Sequence, residues 1–139
     1  MKRVVATGTF DILHPGHLYY LTESRLLGDE LHVIVARDVN VKHKPLPILP
    51  EDQRLRMVAA LKPVDAARLG DIVDMFRPIE EIRPEIITLG YNQHFDETVL
   101  HAALQERGLS CRVVRIGRYP DGQFASSSAI VEQILKVRR

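Results

Sequence analysis

The sequence contains very little cysteine, no tryptophan and almost no net charge. Its one cysteine, Cys111, cannot form a disulfide within the chain or build a zinc site by itself. With 19 Lys and Arg against 18 Asp and Glu, the formal charge is +1, so the positive excess that drives non-specific binding to nucleic acids or membranes is absent. We therefore expect a reducing, cytoplasmic location, with neither nucleic acid nor membrane as a partner.

Long hydrophobic runs are also missing. The basic residues 1–3 are followed by an apolar run that is broken at Thr7, Gly8, Thr9 and Asp11, which is too short for a signal peptide or a membrane span. The 139 residues are nevertheless 45% hydrophobic, without a break in composition. This is enough for a core, and we expect one domain covering residues 1–139.

Three motifs for phosphate binding or nucleophilic catalysis are absent. There is no G-x-x-x-x-G-K-[ST] loop of the Walker type, and no G-x-G-x-x-G dinucleotide fingerprint follows the first apolar run. A G-x-S-x-G nucleophile elbow is also missing. Any phosphate chemistry must therefore depend on a different arrangement of residues.

Short apolar runs alternate regularly with helix-like segments along the whole chain. The runs cover residues 3–7, 31–36, 65–69, 85–89 and 111–116. Parallel strands need a crossover between them, so this alternation predicts a parallel α/β sheet with helices on both faces. The first helix is expected from Pro15 to Leu27 with Gly28 as its left-handed C′ residue, and Gly108 should end the fourth helix. Pro78 should interrupt or restart a helix within residues 70–84, which we expect to be structural.

Two predicted helix starts carry groups that suit anions. Pro15 fits the first helical position, which would place His14 and His17 around free N–H groups at the positive end of the helix dipole. Ser126, Ser127 and Ser128 precede the last helix and offer a second anion site. Because ligands of parallel sheets bind at the carboxyl edge, two such sites there suggest a polyphosphate.

Each of these signals also has a simpler reading. The histidine pair could bind a metal, but only Asp11 stands nearby at recognisable ligand spacing, which disfavours zinc. A serine before a helix is often only an N-cap. Asp11 fits equally well a metal or substrate ligand and a turn-former bonded to its own backbone. Lys42 and Lys44, in the loop after the second strand, are phosphate-binding candidates or solvated lysines.

Residues 8–17, Gly-Thr-Phe-Asp-Ile-Leu-His-Pro-Gly-His, resemble the signature of the cytidylyltransferase-like nucleotidyltransferases. The resemblance spans nearly the whole chain, including Arg54, the lysines of the second loop and the serine run. Within that superfamily, residues 36–38, 50–54, 61–65 and 93–97 are most similar to the archaeal-type FAD synthases. The resemblance implies the nucleotidyltransferase fold, a Rossmann-like five-stranded parallel sheet with helices on both faces.

The resemblance also implies a reaction. AMP would pass from ATP to FMN by direct in-line attack, forming FAD and pyrophosphate. ATP is then the co-substrate, a divalent cation (Mg²⁺ or a transition metal) bridges its phosphates, and a homodimer is expected because relatives commonly pair. The alternatives are a CTP-dependent cytidylyltransferase acting on glycerol 3-phosphate or a similar small alcohol phosphate, and a nucleotide-binding module without turnover.

The same resemblance assigns the site residues. Catalytic roles fall on His14, His17 and Lys42, substrate contacts on Asp11, Lys44 and Arg54, and no metal ligand is assigned. The nucleotide-binding set is Thr9, Phe10, His14, Pro15, Gly16, His17, Asn92, Asp96, Tyr119, Ser126, Ser127 and Ser128. A flavin ring requires apolar or aromatic walls, for which the aromatic candidates are Phe10, Tyr19, Tyr20, Tyr91, Phe95 and Phe124. The loop 117–125 is longer than in glycerol-phosphate cytidylyltransferases, which argues against transferring their cytidine contacts.

Overall fold

A single parallel sheet forms the centre of the computed structural model, which describes residues 1–41, 45–120 and 124–138. Within these ranges the strands are β1 (Arg3–Gly8), β2 (Glu30–Val35), β3 (Ala66–Leu69), β4 (Ile86–Leu89) and β5 (Arg112–Arg115). Their order across the sheet is β3-β2-β1-β4-β5, and every neighbouring pair is parallel. The predicted five-stranded parallel sheet is therefore confirmed.

A helix lies between each strand and the next along the chain, as the crossovers of a parallel sheet require. In the described part of the chain the helices are α1 (Pro15–Arg25), α2 (Glu51–Ala59), α3 (Arg77–Ile82), α4 (Glu97–Glu106) and α5 (Ser127–Val137), with a 3-10 turn at Asp38–Asn40. In none of these helices is there an apolar stretch long enough to cross a membrane.

The two faces of the sheet have separate cores. Val4 and Ala6 of β1 point into a cluster that contains Leu21 of α1 and Val58 of α2. The intervening Val5 points the other way, into a cluster with residues of α3 and α4. Since successive strand residues face opposite sides, helices cover both faces, as the sequence predicts.

Gly28 has a different role from the one expected. The helix α1 ends at Arg25, followed by Leu26 in a right-handed conformation, and Gly28 does not have a positive φ. A Cβ atom at Gly28 would lie 2.8 Å from the carbonyl oxygen of Lys2 and 2.8 Å from Val4 Cγ2. The position therefore needs glycine because the chain passes close to β1, and not because of a left-handed cap.

The predictions for Gly108 and Pro78 are resolved by local geometry. Gly108 has a φ of +76° after α4, and the N–H of Leu109 donates to the carbonyl of Leu104 at 3.0 Å, which is a Schellman cap. Pro78 lies in the first turn of α3, where its missing N–H costs nothing. It therefore begins a helix, and residues 70–76 before it form a loop.

Candidate active site

A cleft of about 1420 Å³ opens at the carboxyl ends of the strands. Its walls are the loops that follow all five strands, together with the first turns of α1 and α5. The lining includes most of the expected nucleotide-binding residues, namely Thr9, Phe10, His14, Gly16, His17, Asn92, Tyr119, Ser126, Ser127 and Ser128. Parallel sheets bind ligands at this edge, so the cleft is the candidate active site.

The turn between β1 and α1 is built around a buried aromatic ring. Phe10 has a φ of +53°, an uncommon conformation for a residue with a side chain, and only 2% of it is exposed. A Cβ atom at Gly8 would lie 2.8 Å from the Phe10 ring, so glycine is required for the ring to fold back over β1. The centres of the Phe10 and His17 rings lie 5.3 Å apart, so the Phe10 ring packs against that imidazole.

His14 is the N-cap of α1. Its Nδ1 accepts hydrogen bonds from the backbone N–H groups of Gly16 at 3.0 Å and His17 at 3.3 Å. The expectation that these N–H groups are free for a ligand is therefore wrong. The imidazole rings of His14 and His17 stack, with ring centres 3.7 Å apart.

The capping bonds determine how His14 can meet a ligand. Burial lowers the pKa of His14 below its ordinary value of 6.5, so the ring is neutral at neutral pH. A neutral imidazole that accepts at Nδ1 carries its proton on Nε2. His14 lines the cleft, and its chemistry there is that of a neutral hydrogen-bond donor.

The start of α5 meets the start of α1. Ser126 caps α5 by accepting from the N–H of Ala129 at 3.1 Å, and Ser127 Oγ donates to the carbonyl of Ile12 at 3.2 Å. A Cβ atom at Gly16 would lie 2.9 Å from the carbonyl oxygen of Ala125. The two helix N-termini thus lie at the same edge of the sheet, as the sequence predicts, and they are also in contact. Ser126 is the simple N-cap that a serine before a helix often is.

Arg54 is a buried organiser of this edge. Its guanidinium donates to the carbonyls of Thr9 at 2.7 Å, Ala36 at 2.9 Å and Leu49 at 3.0 Å. It also forms an ion pair with Asp38 at 2.6 Å, and its side chain is 0% exposed. The substrate contact expected of Arg54 does not fit this environment, because its donors are directed at protein oxygens and it is not part of the cleft lining.

Two carboxylates expected at the ligand also bond to the backbone. Asp11 accepts from the N–H groups of Ile48 and Leu49, both at 2.9 Å, so it holds the β2–α2 loop against the β1–α1 turn. The interpretation of Asp11 as a turn-former bonded to its own backbone is therefore wrong, since its partners lie 37 and 38 residues away. Its contact with a metal or substrate stays a prediction. Asp96 is the N-cap of α4, accepting from Val99 at 3.0 Å, and lies outside the cleft lining.

The remaining predicted residues have different positions relative to the cleft. Pro15 is exposed in the first turn of α1 and does not line the cleft, so its role is to start the helix. Tyr119 lines the cleft, and its ring centre lies 5.4 Å from that of Tyr19. Lys42 and Lys44 lie outside the residues that the structure describes.

The sequence analysis did not predict a role for Arg115 at the site. From the end of β5 its guanidinium donates to the carbonyls of Gly90 at 2.8 Å and Gln93 at 2.9 Å, and it also bonds Phe95 and Glu97. Gln93 in turn donates to the carbonyl of Thr7 at 3.2 Å. Arg115 and Gln93 therefore shape the loop that presents Asn92, and an arginine at the end of an apolar strand was the only signal for it.

A buried polar network anchors α1 behind the cleft. The Tyr20 hydroxyl donates to the carbonyl of Thr88 at 2.7 Å and accepts from the N–H of Thr7 at 3.2 Å. Ser24 Oγ lies 2.8 Å from Thr88 Oγ1. Burial raises the pKa of Tyr20 to about 12, so its hydroxyl keeps its proton and cannot act as a base near neutral pH.

The residues of the cleft do not form a cage for a metal ion. Among the described ranges, no group of three or more His, Cys, Asp or Glu side chains is placed to hold one. The Asp11 carboxylate, the one acid next to the histidine pair in sequence, accepts two backbone N–H groups.

Replacing Arg54 with Met should lower the free energy of unfolding by about 3 kcal/mol, because three part-buried carbonyls and Asp38 lose the charged donor of a fully buried side chain. Chemical denaturation measures this change. Arg56→Met, on the exposed side of the same helix, is the matched control and should cost less than about 1 kcal/mol. Equal losses in the two variants would contradict the organising role of Arg54.

The His14 imidazole should titrate below pH 6.5 in the folded protein, with its neutral proton on Nε2. As the pH falls, the imidazole of the unfolded chain takes up a proton before the imidazole of the folded protein does, because its pKa is higher. The free energy of unfolding of the wild type should therefore decrease as the pH falls from 6.5 towards the lowered pKa of folded His14. His14→Asn, which keeps a capping side chain, should lack this contribution. Nitrogen-detected NMR gives the pKa and the tautomer directly, and a proton on Nδ1 or a pKa above 6.5 would contradict the assignment.

Known proteins of one family are similar to this chain along nearly its whole length. The family model described as cytidylyltransferase-like matches residues 5–133. A protein named FAD synthase from Methanoculleus marisnigri is 75% identical over 138 residues, covering 99% of this chain and 92% of the relative. A second protein of that name, from Methanosphaerula palustris, is 67% identical over 99% of this chain and 90% of its own.

Solved structures give the same result for the fold. The lipopolysaccharide core biosynthesis protein from Thermoplasma volcanium is 49% identical with a TM-score of 0.83, covering 86% of this chain and 98% of that one. Thermotoga maritima TmcAL, solved with alpha-thio ATP, is 15% identical with a TM-score of 0.72 over 99% of this chain and 51% of its own, and shares the fold alone. The chain belongs to the cytidylyltransferase-like family and, within it, to the family of the FAD synthases it matches.

Proposed function

We propose that this protein transfers AMP from ATP to FMN, forming FAD and pyrophosphate. The observation that carries the proposal is the contact between two helix N-termini in one cleft, where His14 and His17 stand beside the serine run. The positive end of a helix dipole attracts anions, and two such ends in contact suit the α-phosphate and the pyrophosphate of one nucleotide. The identity of 75% to a protein named FAD synthase supports ATP and FMN as the substrates.

The reaction needs no covalent enzyme intermediate. A phosphate oxygen of FMN attacks the α-phosphorus of ATP, and the bond from that phosphorus to the oxygen bridging to the β-phosphorus breaks on the opposite side. Pyrophosphate leaves with the bonding electrons, and the new bond is the phosphoanhydride of FAD. The protein therefore has to position two anions and stabilise charge on the phosphate oxygens.

In our proposal the stacked imidazoles perform the stabilisation. His14 donates from Nε2 to an oxygen of the α-phosphate, because its Nδ1 is occupied by the two capping bonds. His17 donates to the α-phosphate or to the bridging oxygen as the bond breaks. The lowered pKa of His14 keeps its imidazole neutral, so that Nε2 is the one N–H donor of the ring. Lys42 approaches the same phosphates, with Lys44 in support.

The start of α5 receives the leaving pyrophosphate. Ser126 Oγ caps the helix and Ser127 Oγ bonds Ile12, so these hydroxyls shape the site. The donors that we assign to pyrophosphate are the backbone N–H groups of Ser127 and Ser128 and the hydroxyl of Ser128, which lines the cleft. The nucleoside contacts Thr9, Phe10 and Gly16 through the backbone, and Asn92 and Tyr119 through side chains.

Asp11, Arg54 and Asp96 act on the substrates indirectly in this proposal. Asp11 holds the β2–α2 loop, Arg54 holds the carbonyl of Thr9, and Asp96 starts α4. A divalent cation, Mg²⁺ or a transition metal, enters as part of the ATP substrate and offsets charge on its phosphates. We further propose a cytoplasmic location, consistent with the single buried thiol of Cys111, and a homodimer.

The function is tested by product analysis with four substrate combinations. ATP or CTP is combined with FMN or glycerol 3-phosphate in the presence of Mg²⁺, and nucleotide products and pyrophosphate are measured. FAD and pyrophosphate should appear in equal amounts, and only from ATP with FMN. Consumption of CTP with glycerol 3-phosphate would instead establish a cytidylyltransferase, and nucleotide binding without pyrophosphate release would establish a module without turnover.

Replacing His17 with Ala should lower turnover by about 10² or more, as the loss of a transition-state donor does. The fold should persist, which near-identical circular dichroism spectra would establish. His101→Ala, on α4 and outside the cleft lining, is the matched control and should retain normal turnover. Wild-type turnover in the His17 variant would remove this residue from the proposed machinery.

A further inference from the structure

One side of the cleft is formed by apolar side chains that are exposed to solvent. These residues, which we call the apolar wall, are Leu46 (76% exposed), Ile48 (60%), Ile72 (58%), Val73 (92%) and Met75 (48%). They come from the loops that follow β2 and β3. Exposed apolar residues gathered at a cleft usually mark a binding surface.

The loops that carry the apolar wall are tied to the active-site turn. The N–H of Ile48 donates to Asp11 Oδ2 at 2.9 Å, and Asp11 stands three residues before His14. The Asn40 side chain donates to the carbonyl of Ile72 at 3.2 Å. These bonds hold both loops beside the reacting phosphates, so the wall is continuous with the candidate active site.

Polar side chains near the wall are directed at protein groups. Arg37 lines the cleft, but its guanidinium donates to the carbonyl of Gly70 at 2.7 Å and to Glu51 at 3.2 Å. Asn40 is committed to Ile72. Within the described ranges, what this side offers a ligand is therefore mainly apolar surface, which suits a hydrophobic ring better than a purine edge that needs hydrogen bonds.

The opposite side of the cleft has the complementary chemistry. Asn92, Arg118 and Tyr119, which follow β4 and β5, present amide, guanidinium and hydroxyl groups there. The serine run also follows β5, and an in-line reaction brings the attacking phosphate from the side away from the leaving pyrophosphate. The adenosine therefore belongs at the β4–β5 end, and the second substrate at the β2–β3 end.

Several aromatic residues that could have formed a flavin site are occupied elsewhere. Phe10 and Tyr20 are only 2% and 8% exposed, and both support α1. Tyr19 packs its ring against Tyr119. Tyr91 lies on the β4 side of the cleft, where Arg118 stands 6.0 Å from the centre of its ring.

We propose that the apolar wall binds the isoalloxazine ring of FMN, with the ribityl chain leading its phosphate back to His14 and His17. This assignment rests on the proposed function and adds the location of the second substrate. The dimethylbenzene end of the flavin packs on Ile72 and Val73, since an apolar ring gains most where it covers exposed apolar side chains. The wall is thus the specificity surface for a flavin over a small alcohol phosphate.

The test replaces Ile72 and Val73 together with Ser and measures both substrates. The KM for FMN should rise about tenfold or more, while the KM for ATP stays within about twofold, because only the flavin loses contacts. The dissociation constant of FMN, measured from its own fluorescence without turnover, should rise by the same factor. Val99→Ser, which replaces an exposed valine on α4 outside the cleft, is the matched control and should change neither.

The outcomes separate this assignment from the proposed function. A wild type that makes FAD, with a double variant that binds FMN as tightly as the wild type, would overturn the apolar wall and leave the function intact. Loss of FMN affinity in Tyr91→Ser or Phe95→Ser, with no effect of the double variant, would place the ring on the opposite side. A wild type that neither binds nor adenylates FMN would overturn both proposals.

Discussion

The buried guanidinium of Arg54 fixes the edge of the sheet on which the candidate active site is built. It joins the turn after β1, the end of β2 and the loop before α2 by donating to Thr9, Ala36 and Leu49. Without these bonds, three part-buried backbone carbonyls would lack a donor, which costs free energy. The positions of Phe10 and the histidine pair depend on this turn, so a residue outside the cleft determines the geometry inside it.

The residues that hold the loops in place differ from the residues that face the cleft. Asp11, Arg54, Arg115 and the Tyr20 network bond to protein groups and hold the loops in place, while the first turns of α1 and α5 present donors to the cleft. Because His14 is held as a neutral Nε2 donor by its own capping bonds, the donor orientation exists before any ligand arrives. Preorganised donors of this kind require no rearrangement during the reaction, which suits a direct transfer between two phosphates.

Sequence patterns predicted the parts of this structure that depend on local order. The alternation of apolar runs and helices predicted the sheet, and Pro15 and the serine run marked the two helix starts. The patterns failed for Arg54, Asp11 and Arg115, whose partners are distant in sequence; Asp11 and Ile48, for example, are 37 residues apart. The capping role of His14 was missed for a different reason. Histidine is not a usual N-cap, so its spacing before Pro15 indicated a ligand and not a bond to the helix.

In our proposal, the cleft aligns ATP and FMN for one direct displacement at the α-phosphorus. The most direct test is the stereochemical course with one diastereomer of ATP carrying sulfur on the α-phosphate. A single in-line attack predicts inversion of configuration at that phosphorus in the flavin dinucleotide product, read by phosphorus NMR. Retention would mean two successive displacements through a covalent enzyme intermediate, and it would contradict the account.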